Sequence, residues 1–153
     1  MGKLNLSTTT QNNSNLESFF QQRVDQFIKA YIKSNNIIDE PIVYALEAPG
    51  KRVRPTLLYL VSDALSLDLD HADAIAGALE TIHTYSLVHD DLPCMDDDDF
   101  RRGQPSLHKK YNEATAVLAG DAMQSMAIKM LLDNRHFTEK QNNLLAKMLL
   151  ETI

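Results

Sequence analysis

Residues 72–99 read ADAIAGALETIHTYSLVHDDLPCMDDDD, an apolar stretch that runs directly into a dense group of aspartates. From Ala72 to about His89 the apolar residues form a surface too wide for a helix that lies on water, so we expect this helix inside a bundle. Six carboxylates then fall within the ten residues from Asp90 to Asp99. Carboxylates on a buried helix are costly unless they face water or a cation. The sequence therefore predicts a cavity at this end of the helix.

The segments on either side are also helical in pattern. Apolar residues recur at helical spacing in five stretches: Leu16 to Tyr31, Pro41 to Ala48, Pro55 to Leu65, Ala114 to Leu132, and from about Thr138 onward. Asp70 is expected to cap the central helix, and residues 96–105 are expected to form a loop. Because no strand-length alternating run occurs, the predicted fold class is all-α, an antiparallel helical bundle. The last helix meets no stop signal, so the bundle is expected to be incomplete at the C-terminus.

Composition and charge narrow the classes of partner. The net charge of -6 and pI near 5.3 argue against a nucleic-acid partner, although a local basic cluster can still bind a small anion. Cys94 is the single cysteine, which fits a reducing compartment, and we expect a cytoplasmic protein without a membrane segment. Residues 1–15 are polar and are expected to be a disordered arm, which leaves residues 16–153 as one domain or part of one.

The aspartates predict a cation site. A solvated acidic loop is the simpler interpretation of such a run, but its position on a buried helix favours a ligand. Oxygen-only donors favour Mg²⁺, which commonly shares phosphate oxygens with a substrate. Asp90 and Asp96 do not share one face of an ideal helix, so the helix is expected to kink or unwind at Pro93 and return Asp96 toward Asp90.

Two basic clusters flank the aspartates. Gly50 to Pro55 (GKRVRP) places three cations at the start of a predicted helix, where backbone N–H groups also attract anions. Arg101 and Arg102 follow the aspartates directly, and Arg recognises phosphate in bidentate fashion. His83 lies two turns before Asp90 on the same helical face. These charges either solvate the surface or, taken together, bind two diphosphates side by side.

Three segments carry a resemblance to a known family: GKRVRP (50–55), IHTYSLVHDDLPCMDDDDFRRGQPSLHKKY (82–111) and ATAVLAGDAMQ (114–124). They resemble the trans-polyprenyl diphosphate synthases, most closely the bacterial farnesyl diphosphate synthases. The resemblance implies an isoprenoid synthase fold, Mg²⁺ as cofactor and a homodimer. It also implies a prenyltransferase that joins isopentenyl diphosphate to dimethylallyl or geranyl diphosphate, giving farnesyl diphosphate. Residues 16–153 would be the N-terminal half of such a domain.

The resemblance also implies roles for individual side chains. Asp90, Asp91 and Asp96 would hold magnesium against the allylic diphosphate, which Arg101 would also grip. Isopentenyl diphosphate would be bound by Lys51, Arg54, His83 and Arg102. The allylic C–O bond would ionise, the isopentenyl double bond would attack the cation, and a proton would leave. The second aspartate-rich motif of the family is missing from the sequence, so the chain alone is expected to be inactive.

Three other functions stay open. A geranylgeranyl diphosphate synthase shares these motifs. Tyr85, five residues before Asp90, argues against it, because a bulky ring there could close the floor of the product cavity and stop the product at fifteen carbons. The alternative for Tyr85 is ordinary packing in the core. A metal phosphohydrolase is suggested by the His89–Asp90 doublet, with His71 and Asp121 as further ligands. A fragment or regulatory subunit that binds a partner through its open helix surfaces is the third.

Overall fold

The computed structural model describes residues 11–32 and 37–152 of the chain. Within them the helices are α1 (Gln11–Tyr31), α2 (Asp39–Leu46), α3 (Val53–Ala64), α4 (Leu69–Asp90), α5 (Leu107–Lys110), α6 (Glu113–Leu132) and α7 (Glu139–Leu150). Between α4 and α5, the two-residue strands β1 (Phe100–Arg101) and β2 (Gln104–Pro105) pair antiparallel. The all-α class predicted from the sequence is confirmed.

The centre of the bundle is the pair α4 and α6, which pack together more extensively than any other two described elements. Small residues make this close packing possible, because they let the helix backbones approach. Those fully buried on α6 include Ala116, Ala119 and Ala127, and those on α4 include Ala76 and Ala78. Helices α1 and α3 cover α4 on one side, and α7 packs on α6. The prediction that both apolar helices are central is therefore correct.

Helix α1 begins earlier than the sequence pattern indicated. The polar arm was expected to reach residue 15, but the helix starts at Gln11, because once a helix is nucleated each added residue gains a backbone hydrogen bond. Residues 1–10 of the expected arm lie outside the described residues. The apolar face of α1 is anchored by Phe20, which stacks on Tyr59 of α3 with ring centroids 5.2 Å apart.

The N-terminal cap of α4 is Asp68, and the expectation that Asp70 caps the helix is wrong. The carboxylate of Asp68 accepts a hydrogen bond from the backbone N–H of Asp70 at 3.1 Å. Asp70 lies inside the first turn, where it pairs with Arg23 of α1. The last helix begins where the sequence predicted, after Thr138, which is its N-terminal cap, and Gln141 completes a capping box with it.

The segment expected to be a loop, residues 96–105, contains the β1–β2 hairpin. Its turn residues Arg102 and Gly103 have φ values of 54° and 82°. Two consecutive residues with positive φ match the two-residue hairpin turn whose twist suits paired strands. The ladder is only two residues long, too short to give an alternating pattern in the sequence.

Candidate active site

The chain reverses direction where α4 meets the aspartates. The helix ends at Asp90, and because Pro93 has no N–H to donate, the carbonyl of His89 accepts from Leu92 instead, at 3.1 Å. The backbone N–H of Asp96 then donates to the carbonyl of Asp90 at 2.8 Å. The predicted unwinding at Pro93, which returns Asp96 to Asp90, is confirmed.

The three predicted metal ligands have different surroundings. Asp91 is buried, with 2 % of its surface exposed, and its carboxylate accepts from Arg101 Nε at 2.8 Å. Arg101 also reaches Asp98 at 3.0 Å. Asp90 is partly exposed and Asp96 is exposed. Asp91 raises the pKa of Arg101 by hydrogen bonding, with smaller contributions from the charges of Asp98 and Asp90.

A second carboxylate group lies further along the same run. Among the residues that the structure describes, Asp97, Asp99 and His108 are the one set of three whose ligand atoms lie within 4.8 Å of one another. Lys109 Nζ already pairs with Asp99 at 2.7 Å, which neutralises part of its charge. The sequence analysis did not single out this set, and the structure does not gather Asp90, Asp91 and Asp96 as tightly.

The basic residues assemble on another side of α4. Burial lowers the pKa of His83, and the charges of Arg54, Arg102 and Arg52 lower it further. Arg54 and His83 line the same cavity. The guanidinium of Arg102 lies against Gly50, where a Cβ would come within 2.4 Å of Nη1. A side chain at Gly50 would therefore displace the guanidinium of Arg102. Lys51 is exposed beside them.

Arg101 and Arg102 are neighbours in the chain but point to different sites. Arg101 contacts the aspartates, whereas Arg102, in left-handed backbone conformation, contacts the GKRVRP segment (50–55). Burial lowers the pKa of Arg102, and the nearby charge of Glu80 works in the opposite direction. The hairpin turn therefore delivers one guanidinium to each cluster.

A cavity of about 440 Å³ runs along α4 from the basic cluster. Arg54, His83 and Tyr85 line it together with apolar side chains that include Ile82 and Leu149. The ring of Tyr85 meets His89 edge-on, with centroids 5.3 Å apart. Tyr85 thus combines packing against its own helix with a place on the cavity wall.

Two residues that the sequence analysis did not assign lie beneath the basic cluster. Arg52 and Glu80 form a buried ion pair at 2.9 Å. The sequence did contain a sign of the role of Glu80, because this residue is the lone carboxylate in the apolar middle of α4 and so required a buried partner. It contained no such sign for Arg52, because nothing in GKRVRP distinguishes the cation that turns inward.

The arrangement does not fit the phosphohydrolase alternative. His71 stands in the first turn of α4 and His89 in the last, roughly 27 Å apart along a helix that rises 1.5 Å per residue. Furthermore, His89 Nε2 is 3.1 Å from the carbonyl of Val117. The histidines cannot share one metal ion.

Comparison with known proteins agrees with this geometry. The family model described as polyprenyl synthetase matches residues 35–153. The chain is 44 % identical over 133 residues to a farnesyl diphosphate synthase from Haemophilus influenzae (84 % of this chain, 45 % of the relative). It is 47 % identical over 103 residues to a chloroplastic geranylgeranyl pyrophosphate synthase from Capsicum annuum (67 % and 28 %).

A crystal structure of a geranyltransferase from Legionella pneumophila is also similar, with a TM-score of 0.89 at 41 % identity. The match covers 94 % of this chain and 53 % of that one. The chain thus spans about half the length, or less, of the relatives that it matches.

Proposed function

Because the chain belongs to the polyprenyl synthetase family, we propose that it forms the diphosphate-binding half of a farnesyl diphosphate synthase. One observation carries the proposal: the hydrogen bond from Asp96 N–H to the carbonyl of Asp90 brings the ends of the aspartate motif together beside Arg101. A separate basic cluster lies around His83. Two separate clusters, of which the basic one borders the cavity, suit two diphosphate substrates.

The basic cluster is proposed to hold isopentenyl diphosphate. Lys51, Arg54 and Arg102 supply positive charge. Burial, and then the nearby arginines, lower the pKa of His83 and favour its neutral form, which offers a ring N–H as a hydrogen-bond donor. Two of these, Arg54 and His83, line the cavity, so the hydrocarbon part of the substrate can lie along α4. The reacting double bond would then point toward the other substrate.

The end of α4 fits a magnesium ion. Carboxylate oxygens are the donors that Mg²⁺ prefers, and no salt bridge from any described residue occupies Asp90 or Asp96. These two residues would hold the ion, while Asp91 would have to release Arg101 to join them. When bound, the ion would neutralise charge on the departing diphosphate.

Arg101 is proposed to bind the allylic diphosphate and to stabilise it as it leaves. Negative charge develops on the leaving oxygen when the C–O bond breaks, and a fixed guanidinium there lowers the barrier. Asp98 holds Arg101 at 3.0 Å, and Asp91, which contacts it at 2.8 Å in this structure, would give up that contact when the ion binds. No side chain is assigned as the base, since the released diphosphate can accept the proton.

A geranylgeranyl diphosphate synthase is the second candidate, favoured by the similarity to the Capsicum annuum protein. The position of Tyr85 on the cavity wall supports the shorter product, because a bulky ring there limits the length of the growing chain. The product formed by a Tyr85→Ala variant would separate the two candidates: a longer product from the variant than from the wild type would assign the floor to Tyr85.

Two further properties belong to the proposal. We propose a homodimer, for which the exposed apolar side chains of α6 are the first surface to test, and a cytoplasmic location, which Cys94 as the single cysteine favours. None of the described helices is long and apolar enough to cross a bilayer.

The proposal is tested by Asp90→Ala in the protein at its natural length. Loss of a metal ligand should lower kcat at least about a hundredfold, since a metal's charge is worth several kcal/mol at the leaving oxygen. Rates are measured with geranyl and isopentenyl diphosphates at saturating Mg²⁺.

Asp63→Ala on α3 is the matched control, because it removes a carboxylate outside the site. It should retain the wild-type rate, and both variants should keep the wild-type circular dichroism spectrum. A rate near wild type for Asp90→Ala would refute the metal assignment.

A further inference from the structure

Arg52 has the least favourable backbone conformation in the GKRVRP segment. It is the N-cap of α3 with φ 47° and ψ 40°, in the left-handed region that side chains with a Cβ rarely adopt. Such a conformation persists only where surrounding contacts hold it. The contacts of the Arg52 side chain hold this segment in shape, together with the hydrogen bond that Gln21 Nε2 donates to the carbonyl of Lys51 at 3.0 Å.

The guanidinium of Arg52 binds three different elements. Nε donates to Asp25 of α1 at 2.9 Å, and Nη1 donates to Glu80 of α4 at 2.9 Å. Nη2 donates to the carbonyl of Leu46, at the end of α2, at 2.6 Å. The planar fork of Arg can serve three acceptors at fixed angles, which the point charge of Lys cannot.

Glu80 is the buried partner that makes this arrangement possible. Its residue surface is 1 % exposed, and a buried guanidinium without a carboxylate would be strongly disfavoured. Glu80 also lies one turn before His83 on α4, and its charge acts on Arg102. The carboxylate thus stands beneath the cations that the proposed function assigns to isopentenyl diphosphate.

We propose that Glu80 and Arg52 are positioning residues for diphosphate binding. The ion pair with Glu80 keeps the Arg52 side chain turned inward and fixes the left-handed bend of the backbone. As a result Lys51 and Arg54, on either side of Arg52, stay exposed and directed toward the substrate. Glu80 also balances the charge of Arg102, which allows that guanidinium to lie against Gly50 before the anion arrives. This inference rests on the proposed function and extends it to residues that do not touch the substrate.

A purely structural role is the competing explanation, and α4 offers a matched control for it. Asp73 lies two turns before Glu80 and also pairs with an arginine, Arg23 of α1, at 2.7 Å. Both ion pairs tie α4 to a neighbouring segment. Asp73 lies away from the GKRVRP segment, so Asp73→Asn should lower stability without altering diphosphate binding.

The test compares Glu80→Gln with Asp73→Asn in the protein at its natural length. For Glu80→Gln we expect KM for isopentenyl diphosphate to rise about tenfold or more, with KM for the allylic substrate changed less than about twofold. For Asp73→Asn we expect both KM values at wild type. Calorimetry with inorganic pyrophosphate, without any allylic substrate, should show the same loss of affinity for Glu80→Gln alone.

Arg52→Lys keeps the charge and the same backbone strain but loses the fork, so it tests the proposal if Glu80→Gln does not fold. It should also raise KM for isopentenyl diphosphate. The proposal is overturned if the folded Glu80→Gln variant keeps the wild-type KM for isopentenyl diphosphate and the wild-type affinity for pyrophosphate. If that variant does not fold, the same result for Arg52→Lys overturns it. An equal change of both quantities in Asp73→Asn would also overturn it.

The pyrophosphate measurement separates this proposal from the proposed function. If the wild-type protein transfers no prenyl group, the proposed function fails. The pyrophosphate affinities of the variants still decide whether Glu80 and Arg52 shape an anion site.

Discussion

At the scale of single residues, the molecule assigns different tasks to neighbouring cations. Arg52 is buried between three acceptors, whereas Lys51 beside it is exposed. Arg101 contacts Asp91, whereas Arg102 contacts Gly50. In each pair the formal charge is the same, but the backbone conformation differs. The left-handed φ of Arg52 and of Arg102 turns one side chain of each pair away from the other.

The separation of Arg101 from Arg102 predicts distinct kinetic effects. Arg102→Ala should raise KM for isopentenyl diphosphate and Arg101→Ala should raise KM for the allylic substrate. Each effect should be about tenfold to a hundredfold, because a hydrogen bond to a charged group contributes about 1.5–3 kcal/mol. Steady-state kinetics with each substrate varied in turn will measure both. Equal effects of the two variants on both substrates would contradict the separate roles.

His83 is predicted to titrate below the usual histidine pKa of 6.5, because burial and then the charges of Arg54, Arg102 and Arg52 disfavour its protonated form. The unfolded chain therefore takes up the proton first as pH falls. The stability linked to His83 is complete above pH 6.5 and declines as pH falls from there through the folded pKa.

NMR titration of the ring will measure that pKa, and bound pyrophosphate should raise it. In a His83→Gln variant the free energy of unfolding should lose this part of its dependence on pH. A ring pKa at or above 6.5 without ligand would contradict the prediction.

At the scale of elements, the sequence predicted the helices and the break after α4, because helical periodicity and the missing N–H of Pro93 act locally. It did not distinguish Asp68 from Asp70 as the cap, since both residues have the same capping propensity and only the register of α4 separates them. It also did not find the Arg52–Glu80 pair, which joins residues 28 positions apart through packing alone.

Gly120 of α6 lies against the ring of His89 on α4. A Cβ there would lie 2.0 Å from His89 Nε2, the atom that is 3.1 Å from the carbonyl of Val117. Gly120→Ala should displace His89 and with it the end of α4 that carries Asp90. Overpacking costs about 1–3 kcal/mol, partly offset by about 1 kcal/mol of helix propensity, so the free energy of unfolding should fall modestly while activity falls strongly.

Urea unfolding and prenyl transfer rates will separate those two effects of Gly120→Ala. Lys140→Ala, an exposed change on α7, is the control and should alter neither. Full activity in Gly120→Ala would mean that His89 does not position the aspartates.

At the scale of the whole molecule, apolar side chains remain exposed on several helices. Those on α6 are Val117, Leu118 and Leu132, those on α7 are Leu144, Met148 and Leu150, and those on α3 are Val53, Leu57, Leu60 and Val61. Exposed apolar side chains in contiguous groups mark surfaces that contact other protein.

The α6 surface is the one that we expect to form the homodimer, because the same helix holds His89 through the Val117 carbonyl and so couples the interface to the site. Leu118→Glu in the protein at its natural length places a charge in a contact that repeats about the twofold axis, so each dimer gains two buried carboxylates. Sedimentation should show a wild-type dimer and a largely monomeric variant.

Leu57→Glu is the matched control, since Leu57 on α3 is 60 % exposed and Leu118 is 59 % exposed. The α6 interface would be refuted by a Leu118→Glu variant that stays dimeric, or by a Leu57→Glu variant that dissociates instead.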